Sequence, residues 1–367
     1  MAASVADPNR ILSIQSHVVS GYVGNRSATF PLQLLGWDVD VTNTVQFSNH
    51  TGYGRWGGLR FDASHLSDIF SNLDRNGLLR YSRMLTGYMP SAAVVQTVLE
   101  LVKKLRSRQV ADDGGLIYLL DPVMGDMGRG MYVAQEVLPI YREMLQYATI
   151  ITPNQFEAQA LTDIEIVDLK SLKNVLLTLH KKHRVPHVII TSIELPDHDL
   201  AAIGAHRNMP DGRPAMLQVG SSCEIHLEQG ERQEPKLEAQ DLNIWSIQFP
   251  EVQGYFSGVG DMFAALTLGR FHPEASTSAQ ANQSANELTP IAKASELAIA
   301  SLQGVLSNTC RVIDQLETES NADTDAEGND GAQAKVDRMR RRELRVVQSK
   351  NEIESPTIAY RAKWITS

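Results

Sequence analysis

Between residues 11 and 192, short apolar runs alternate with amphipathic ones, and nearly every apolar run stops at a small polar cluster. Residues 11–14 read as a strand closing on Gln15-Ser16-His17, after which Gly21 and Gly24 punctuate a loop. A helical pattern over 25–35 stops at Gly36, and 39–47 alternates as a strand that leaves through Ser48-Asn49-His50-Thr51-Gly52-Tyr53-Gly54. A helix over 64–73 precedes a strand over 81–85, which ends in Thr86-Gly87-Tyr88. A helix over 92–105 leads to the strand 116–120, closed by Asp121-Pro122. Helix 133–145, strand 149–151, helix 154–161, helix 169–182 and strand 188–190, ending at Thr191-Ser192, complete the series. Strands that alternate with helices through short polar turns predict an α/β fold with a mainly parallel central sheet covered on both faces. In such sheets ligands bind outside the carboxyl ends of the strands, and the polar clusters fall on that edge.

Outside this series the pattern is looser. Residues 1–8 read as a flexible leader, and 211–250 mix β-like pieces with charged turns. Two low-complexity stretches, 275–286 and 318–334, lack the large apolar residues needed to pack and are expected to be disordered surface inserts. Between them 291–316 reads as a core helix, and the basic run 338–345 as a charged face. The domain expected is thus a single one over 9–367 with two inserts. A net charge of -9 argues against nucleic-acid binding. Cys223 and Cys310 are too few for a disulfide framework or a cysteine-rich zinc site. No apolar run reaches membrane-spanning length, and Met1 to Arg10 lacks the charged-then-apolar layout of a secretion signal. A cytoplasmic enzyme is expected, the nucleus being the second compartment considered.

Chemistry concentrates in Phe256-Ser257-Gly258-Val259-Gly260-Asp261, followed by the apolar run from Met262 to Leu268. Glycines let the backbone turn and free its N–H groups, and free N–H groups at a helix N-terminus bind anions. An acid here is equally what an ordinary helix start would use as a cap. The usual nucleotide signatures are absent: no G-x-x-x-x-G-K-[ST], no protein-kinase set, no G-x-G-x-x-G after the first strand. Gly125-Asp126-Met127-Gly128-Arg129-Gly130 follows a strand end and suits a mobile flap near phosphates. Asp121 and Asp126 put two carboxylates at that end, where phosphoryl transfer would hold Mg²⁺; Asp-Pro is also a common turn. Thr152-Pro153-Asn154-Gln155-Phe156-Glu157 again joins a strand to a helix, and a plain helix start is its simplest reading.

In order along the chain, Ile14-Gln15-Ser16-His17-Val18, Gly21-Tyr22-Val23-Gly24-Asn25 and Val45-Gln46-Phe47-Ser48-Asn49-His50-Thr51-Gly52-Tyr53 resemble pyridoxal kinases of the ribokinase-like superfamily. Leu85-Thr86-Gly87-Tyr88, Asp121 to Asp126, Ile151 to Ala158 and Val346-Val347-Gln348-Ser349-Lys350 continue the match. The resemblance covers 9–367 apart from the inserts and much of 201–250. It implies ATP-dependent phosphorylation of the 5′-hydroxymethyl group of pyridoxal, pyridoxine and pyridoxamine, with Mg²⁺ and a monovalent cation, usually K⁺, and a homodimer. By resemblance Ser16 and Thr51 contact the pyridine substituents, Val23 and Tyr88 shape the pocket, and Asp261 is both a substrate contact and the base. Asp121, Asp126, Tyr132, Asn154, Glu157, Thr191, Ser192, Val252, Gly254 and Gly258 are implied around ATP. Asp126 and Glu157 are implied for Mg²⁺, Asp121 and Thr152 for K⁺, and Gly258, Val259 and Gly260 for the anion hole. Where the family often carries threonine this chain has Val259, which leaves a hole built from backbone N–H groups intact. A hydroxymethylpyrimidine kinase shares the fold and the base; Ser16-His17 and His50 to Tyr53 favour pyridoxal. A non-catalytic carrier of pyridoxal phosphate is the alternative of another class, disfavoured by the presence of Asp261 and both glycines. Neither a nucleic acid nor a membrane is expected as a partner.

Overall fold

The computed structural model describes residues 6–108, 115–223, 238, 242–273, 287–320 and 331–365. The first elements are β1 (Asp7–Val18), α1 (Asn25–Leu34), β2 (Asp38–Phe47), β3 (Gly58–Arg60), α2 (Ala63–Arg75), β4 (Tyr81–Thr86) and α3 (Ala92–Arg108). Next come β5 (Ile117–Leu120), β6 (Gly125–Asp126), β7 (Gly130–Met131), α4 (Val137–Leu145), β8 (Ile150–Ile151), α5 (Gln155–Thr162), α6 (Leu169–Lys181) and β9 (His187–Ile193). The chain continues through α7 (Asp197–Ala202), β10 (Ala215–Ser222), β11 (Asn243–Pro250), α8 (Val259–Arg270) and α9 (Pro290–Ser320). It closes with α10 (Gly331–Arg341), α11 (Lys350–Glu354) and β12 (Lys363–Trp364).

One ten-stranded sheet runs in the order β12-β11-β10-β9-β8-β5-β4-β1-β2-β3. From β2 to β9 every neighbour pair is parallel, while β3 and the β10–β12 edge are antiparallel. Because the chain steps from β1 to β2 on one side and then to β4 on the other, the order reverses at β1, and a crevice opens at its carboxyl end. Side chains alternate along each strand, so a strand covered on both faces is apolar throughout. Leu12, Ile14, Met84, Leu120 and Ile151 pack under α3, α4 and α6, whereas Ile11, Leu85, Leu119 and Ile150 pack under α1, α8 and α9. The run from Met262 to Gly269 in α8 is buried throughout, as a helix apolar on every side must be. It is wedged between α1 and α9, which fixes where its N-terminus points.

Several boundaries differ from the sequence reading. The strand expected over 11–14 begins at Asp7, so residues 7 and 8 of the expected leader are in the sheet: Asp7 N–H donates to Arg80 O (3.1 Å) and Ser82 Oγ to Pro8 O (2.9 Å). Residues 1–5 lie outside the described residues. The helix expected from 133 starts at Val137, because Pro139 fits only the first turn of a helix. The β-like pieces of 211–250 are the paired strands β10 and β11. The stretch 275–286 lies outside the described residues, as does 321–330. Residues 318–320 and 331–334, expected to be disordered, are instead helical ends of α9 and α10. Ala332, Gln333, Ala334 and Lys335 favour helix, and α10 buries Met339.

Beside the sheet, two histidines are held neutral. His180 is fully buried, with Nδ1 2.6 Å from Val185 O and Nε2 2.6 Å from the Ser221 hydroxyl. Burial drives it down to about 4, and drives His183 down to about 4 as well. The unfolded chain therefore takes up protons below the ordinary histidine value near 6.5 that the folded chain refuses. The contribution of the fully buried His180 is complete above that value and falls as pH drops toward 4, by about 1.4 kcal/mol per pH unit. Urea unfolding between pH 7 and 4 measures the slope, and His180→Gln should flatten it by close to one proton.

Candidate active site

The N-terminus of α8 is clamped by the turn between β1 and α1. Gly258 is the N-cap at φ 82°, and a Cβ there would overlap the Tyr22 carbonyl oxygen, so only glycine fits. Ser27 Oγ donates to Gly258 O (2.8 Å), and Gly24 N–H donates to Asp261 Oδ2 (2.8 Å). The turn is itself stitched to the sheet by the buried Asn25, which accepts from Ser13 Oγ (2.7 Å) and donates to Thr42 O (3.1 Å) and Asn43 Oδ1 (2.9 Å). No side chain caps α8. Asp261 stands at the third helical position rather than the cap, so the ordinary capping reading of this acid does not hold. The first N–H groups of α8 have no acceptor within their own helix, and they point where an anion would sit.

Two further carboxylates stand close by. Asp121, at the end of β5, is 7% exposed, and Glu157, in the first turn of α5, is 4% exposed. Asn154 and Glu157 form a reciprocal capping box: Asn154 Oδ1 accepts from Glu157 N–H (2.9 Å), and Glu157 Oε2 accepts from Asn154 N–H (3.0 Å). The plain helix start is thus real, but the same residues reach further. Glu157 Oε1 accepts from Met124 N–H (2.8 Å), and Asn154 Nδ2 donates to Gly125 O (2.7 Å) and to Asp126 Oδ1 (3.3 Å). Burial, and then the charges of Glu157 and Asp261, push Asp121 far above the ordinary carboxylate range. Thr152, whose hydroxyl faces Asp121 without closing a well-formed hydrogen bond, offsets part of that rise. Burial lifts Glu157 to about 8 against the pull of its backbone donors. Asp261 rises through burial, opposed by the Gly24 N–H, and Asp126 rises through burial, opposed by Arg129. Packing three acids together out of water leaves a site that needs positive charge.

Two cavities meet at this helix start. One, of about 440 Å³, is lined by Asp121, Asp126, Tyr132, Thr152, Asn154, Glu157, Thr191, Ser192, Val252, Gly254, Val259, Gly260 and Asp261. Its far wall is apolar, formed by Met216, Phe249, Leu302 and Leu306, and suits a flat aromatic base. The other is lined by Ser16, Val23, Thr51, Tyr88, Gly258, Val259 and Gly260. Gly258 therefore faces the second cavity rather than the first. Val123, Asp126, Tyr132, Tyr255, Phe256, Val259 and Gly260 line both. The glycine-bearing segment after β5 is a two-stranded hairpin, β6 with β7, and its Arg129 lies over the Tyr255 ring (4.6 Å).

Sequence reasoning missed some of these residues. Tyr255 and the apolar wall from β11 and α9 carry no local signature. In sequence Glu343 belongs to a charged face, yet its carboxylate is turned inward against the second cavity's loops. An acid inside a basic run was the available signal.

The geometry has counterparts among known proteins. A family model described as phosphomethylpyrimidine kinase matches residues 79–207, which excludes both the β1–α1 turn and α8. Over nearly the whole chain the protein is 36% identical to a pyridoxal kinase of Arabidopsis thaliana, covering 98% of this chain and 95% of that one. It is 33% identical to a pyridoxal kinase of Homo sapiens, covering 96% and 97%. Its fold superposes on pyridoxal kinase from Leishmania donovani in complex with ADP and pyridoxine with a TM-score of 0.72, at 28% identity and covering 98% of this chain and 100% of that one. The fold is ribokinase-like, and the chain belongs to the pyridoxal kinase family.

Proposed function

We infer that this chain transfers the γ-phosphoryl group of ATP to the 5′-hydroxymethyl group of pyridoxal, pyridoxine and pyridoxamine. The observation that carries this is Asp261, buried in the wall of the first cavity directly after Val259 and Gly260, which line both cavities. ATP would occupy the cavity with the apolar base wall, its phosphates running past Asn154, Thr191 and Ser192 toward Val259 and Gly260. The vitamer would lie in the other, with Ser16 and Thr51 on its polar substituents and Val23 and Tyr88 as walls. Asp261 accepts the proton of the alcohol as its oxygen bonds to phosphorus and the bond to the ADP oxygen breaks; a raised proton affinity suits that task. The backbone N–H groups of α8 take up negative charge on the phosphoryl oxygens. The hairpin carrying Tyr132 and Arg129 would close over the reacting groups and exclude water.

The residues present fit the two cations. The buried Thr152 hydroxyl has no partner and lies beside Asp121, a donor pair suited to K⁺. Asp126 and Glu157 would hold Mg²⁺ mainly through water, since Glu157 is already engaged by backbone N–H groups and the described residues contain no cluster of acids, histidines or cysteines able to cage a metal. When bound, the cations would neutralise phosphate charge beside the buried acids Asp121, Glu157 and Asp261. A homodimer is supported by Val19, Trp56 and Leu59, exposed around the end of β2 beside edge strand β3. Among the described residues no helix is long and apolar enough to cross a membrane, and the proposed compartment is the cytoplasm.

Competition among acceptors tests this assignment. With Mg-ATP and K⁺, kcat/KM for pyridoxal should exceed that for hydroxymethylpyrimidine by on the order of 10²-fold or more. Preference for the pyrimidine would reassign the substrate, and tight pyridoxal phosphate binding without turnover of any acceptor would indicate a carrier.

A further inference from the structure

Glu343 follows α10 and lines neither cavity, yet its side chain is only 10% exposed. Its Oε2 accepts from Tyr22 N–H (3.0 Å), its Oε1 accepts from the Tyr53 hydroxyl (2.9 Å), and His50 Nε2 lies 3.3 Å from Oε1. Gly21, at φ 96°, makes the approach feasible, since a Cβ there would collide with the carboxylate. The other nitrogen of His50, Nδ1, is 3.2 Å from the Ser257 hydroxyl, and Ser257 precedes the N-cap of α8. The Tyr53 ring packs against the His50 ring at 4.7 Å. One carboxylate therefore touches the β1–α1 turn and the loop leaving β2, and reaches the start of α8 through one imidazole. Each of these segments supplies lining to the acceptor cavity: Val23, Thr51 with His50, and Ser257 with Gly258. Burial would raise Glu343, but His50, Tyr53 and the Tyr22 N–H together hold it below the ordinary glutamate value. It is therefore a charged group with donors on every side.

We propose that Glu343 is a positioning residue for the acceptor: it ties the vitamer-binding loops together and, through His50 and Ser257, sets the register of the α8 start. Nε2 of His50 faces the carboxylate and Nδ1 faces the Ser257 hydroxyl, so a single ring links the two. The segment past the 318–334 stretch thus belongs to the acceptor site although it contacts no acceptor.

The test is steady-state kinetics of Glu343→Gln, in which the amide nitrogen must meet a donor that the carboxylate had accepted. KM for pyridoxal should rise about 10- to 100-fold, while KM for ATP stays within about twofold because Tyr22, His50, Tyr53 and Ser257 all lie outside the lining of the nucleotide cavity. Paired with His50→Asn in a double-mutant cycle, the double variant should be no worse than the more damaged single one, since both break one chain of contacts. An unchanged pyridoxal KM, a parallel rise in both KM values, or multiplicative effects in the cycle would overturn the proposal. If Glu343→Gln does not fold, Tyr53→Phe removes a single bond to the same carboxylate, and the same KM split, smaller in size, is required of it. The proposal rests on the acceptor assignment above, and wild-type turnover separates the two. Its absence counts against that assignment; turnover with an unmoved variant KM counts against Glu343.

Discussion

Asp261→Asn is expected to lower kcat by about 10²- to 10⁴-fold, the usual worth of a positioned general base, with ATP and vitamer still bound. The substitution keeps shape, and the amide oxygen can still accept from Gly24 N–H, the one bond Asp261 makes to the β1–α1 turn. It also removes a negative charge that pushes on Asp121, so the folded state should lose little stability. The loss should therefore appear in turnover and leave equilibrium binding of pyridoxal intact. Binding lost together with turnover would mean that Asp261 organises the site instead of taking the proton. A drop smaller than about tenfold would place the base elsewhere.

The second large effect is expected at Gly258. Alanine there adds a strained φ of 82°, costing about 1–3 kcal/mol, and a methyl group that overlaps Tyr22 O. The α8 start must move to relieve the overlap, carrying the first-turn N–H groups away from the transferring phosphoryl; kcat should fall by about 10²- to 10³-fold. Gly36→Ala separates strain from overlap. Gly36 has φ 86° and nothing near its missing Cβ, and it lies past the end of α1, so it should lose about 1 kcal/mol of stability with kcat unchanged. Equal kcat losses in the two variants would contradict a specific role for the Gly258 turn.

Much of the parallel core was legible because a strand covered on both faces must be apolar, and its helices must return the chain to the same edge. The motif around Asp261 was legible for a related reason: a left-handed residue packed against a carbonyl admits only glycine, so the backbone demand is written into Gly258. Asn154 and Glu157 could be read as a helix start, and they are one. Their second role, holding Met124 to Asp126, depends on a loop 28 to 33 residues away in sequence and could not be seen locally. Glu343 is the extreme case. Its partners Tyr22 and Tyr53 lie 321 and 290 residues upstream, and the arginines around it conceal a carboxylate that faces inward. Strands β10 and β11 were also faint, because the buried polar residues Gln218, Ser221, Ser222 and Ser246 interrupt their apolar runs.

Phosphoryl transfer is assigned to one buried acid in the nucleotide cavity, beside the Val259–Gly260 turn that this cavity shares with the alcohol-binding one. Its most direct measurement follows the γ-phosphoryl group of labelled ATP with wild-type protein, Mg²⁺ and K⁺, in the presence and absence of pyridoxal. Label is expected on the 5′ oxygen of pyridoxal, with one product formed for each ADP and little ADP without the acceptor. ADP release that ignores pyridoxal, or an unlabelled vitamer after ATP is consumed, would contradict it.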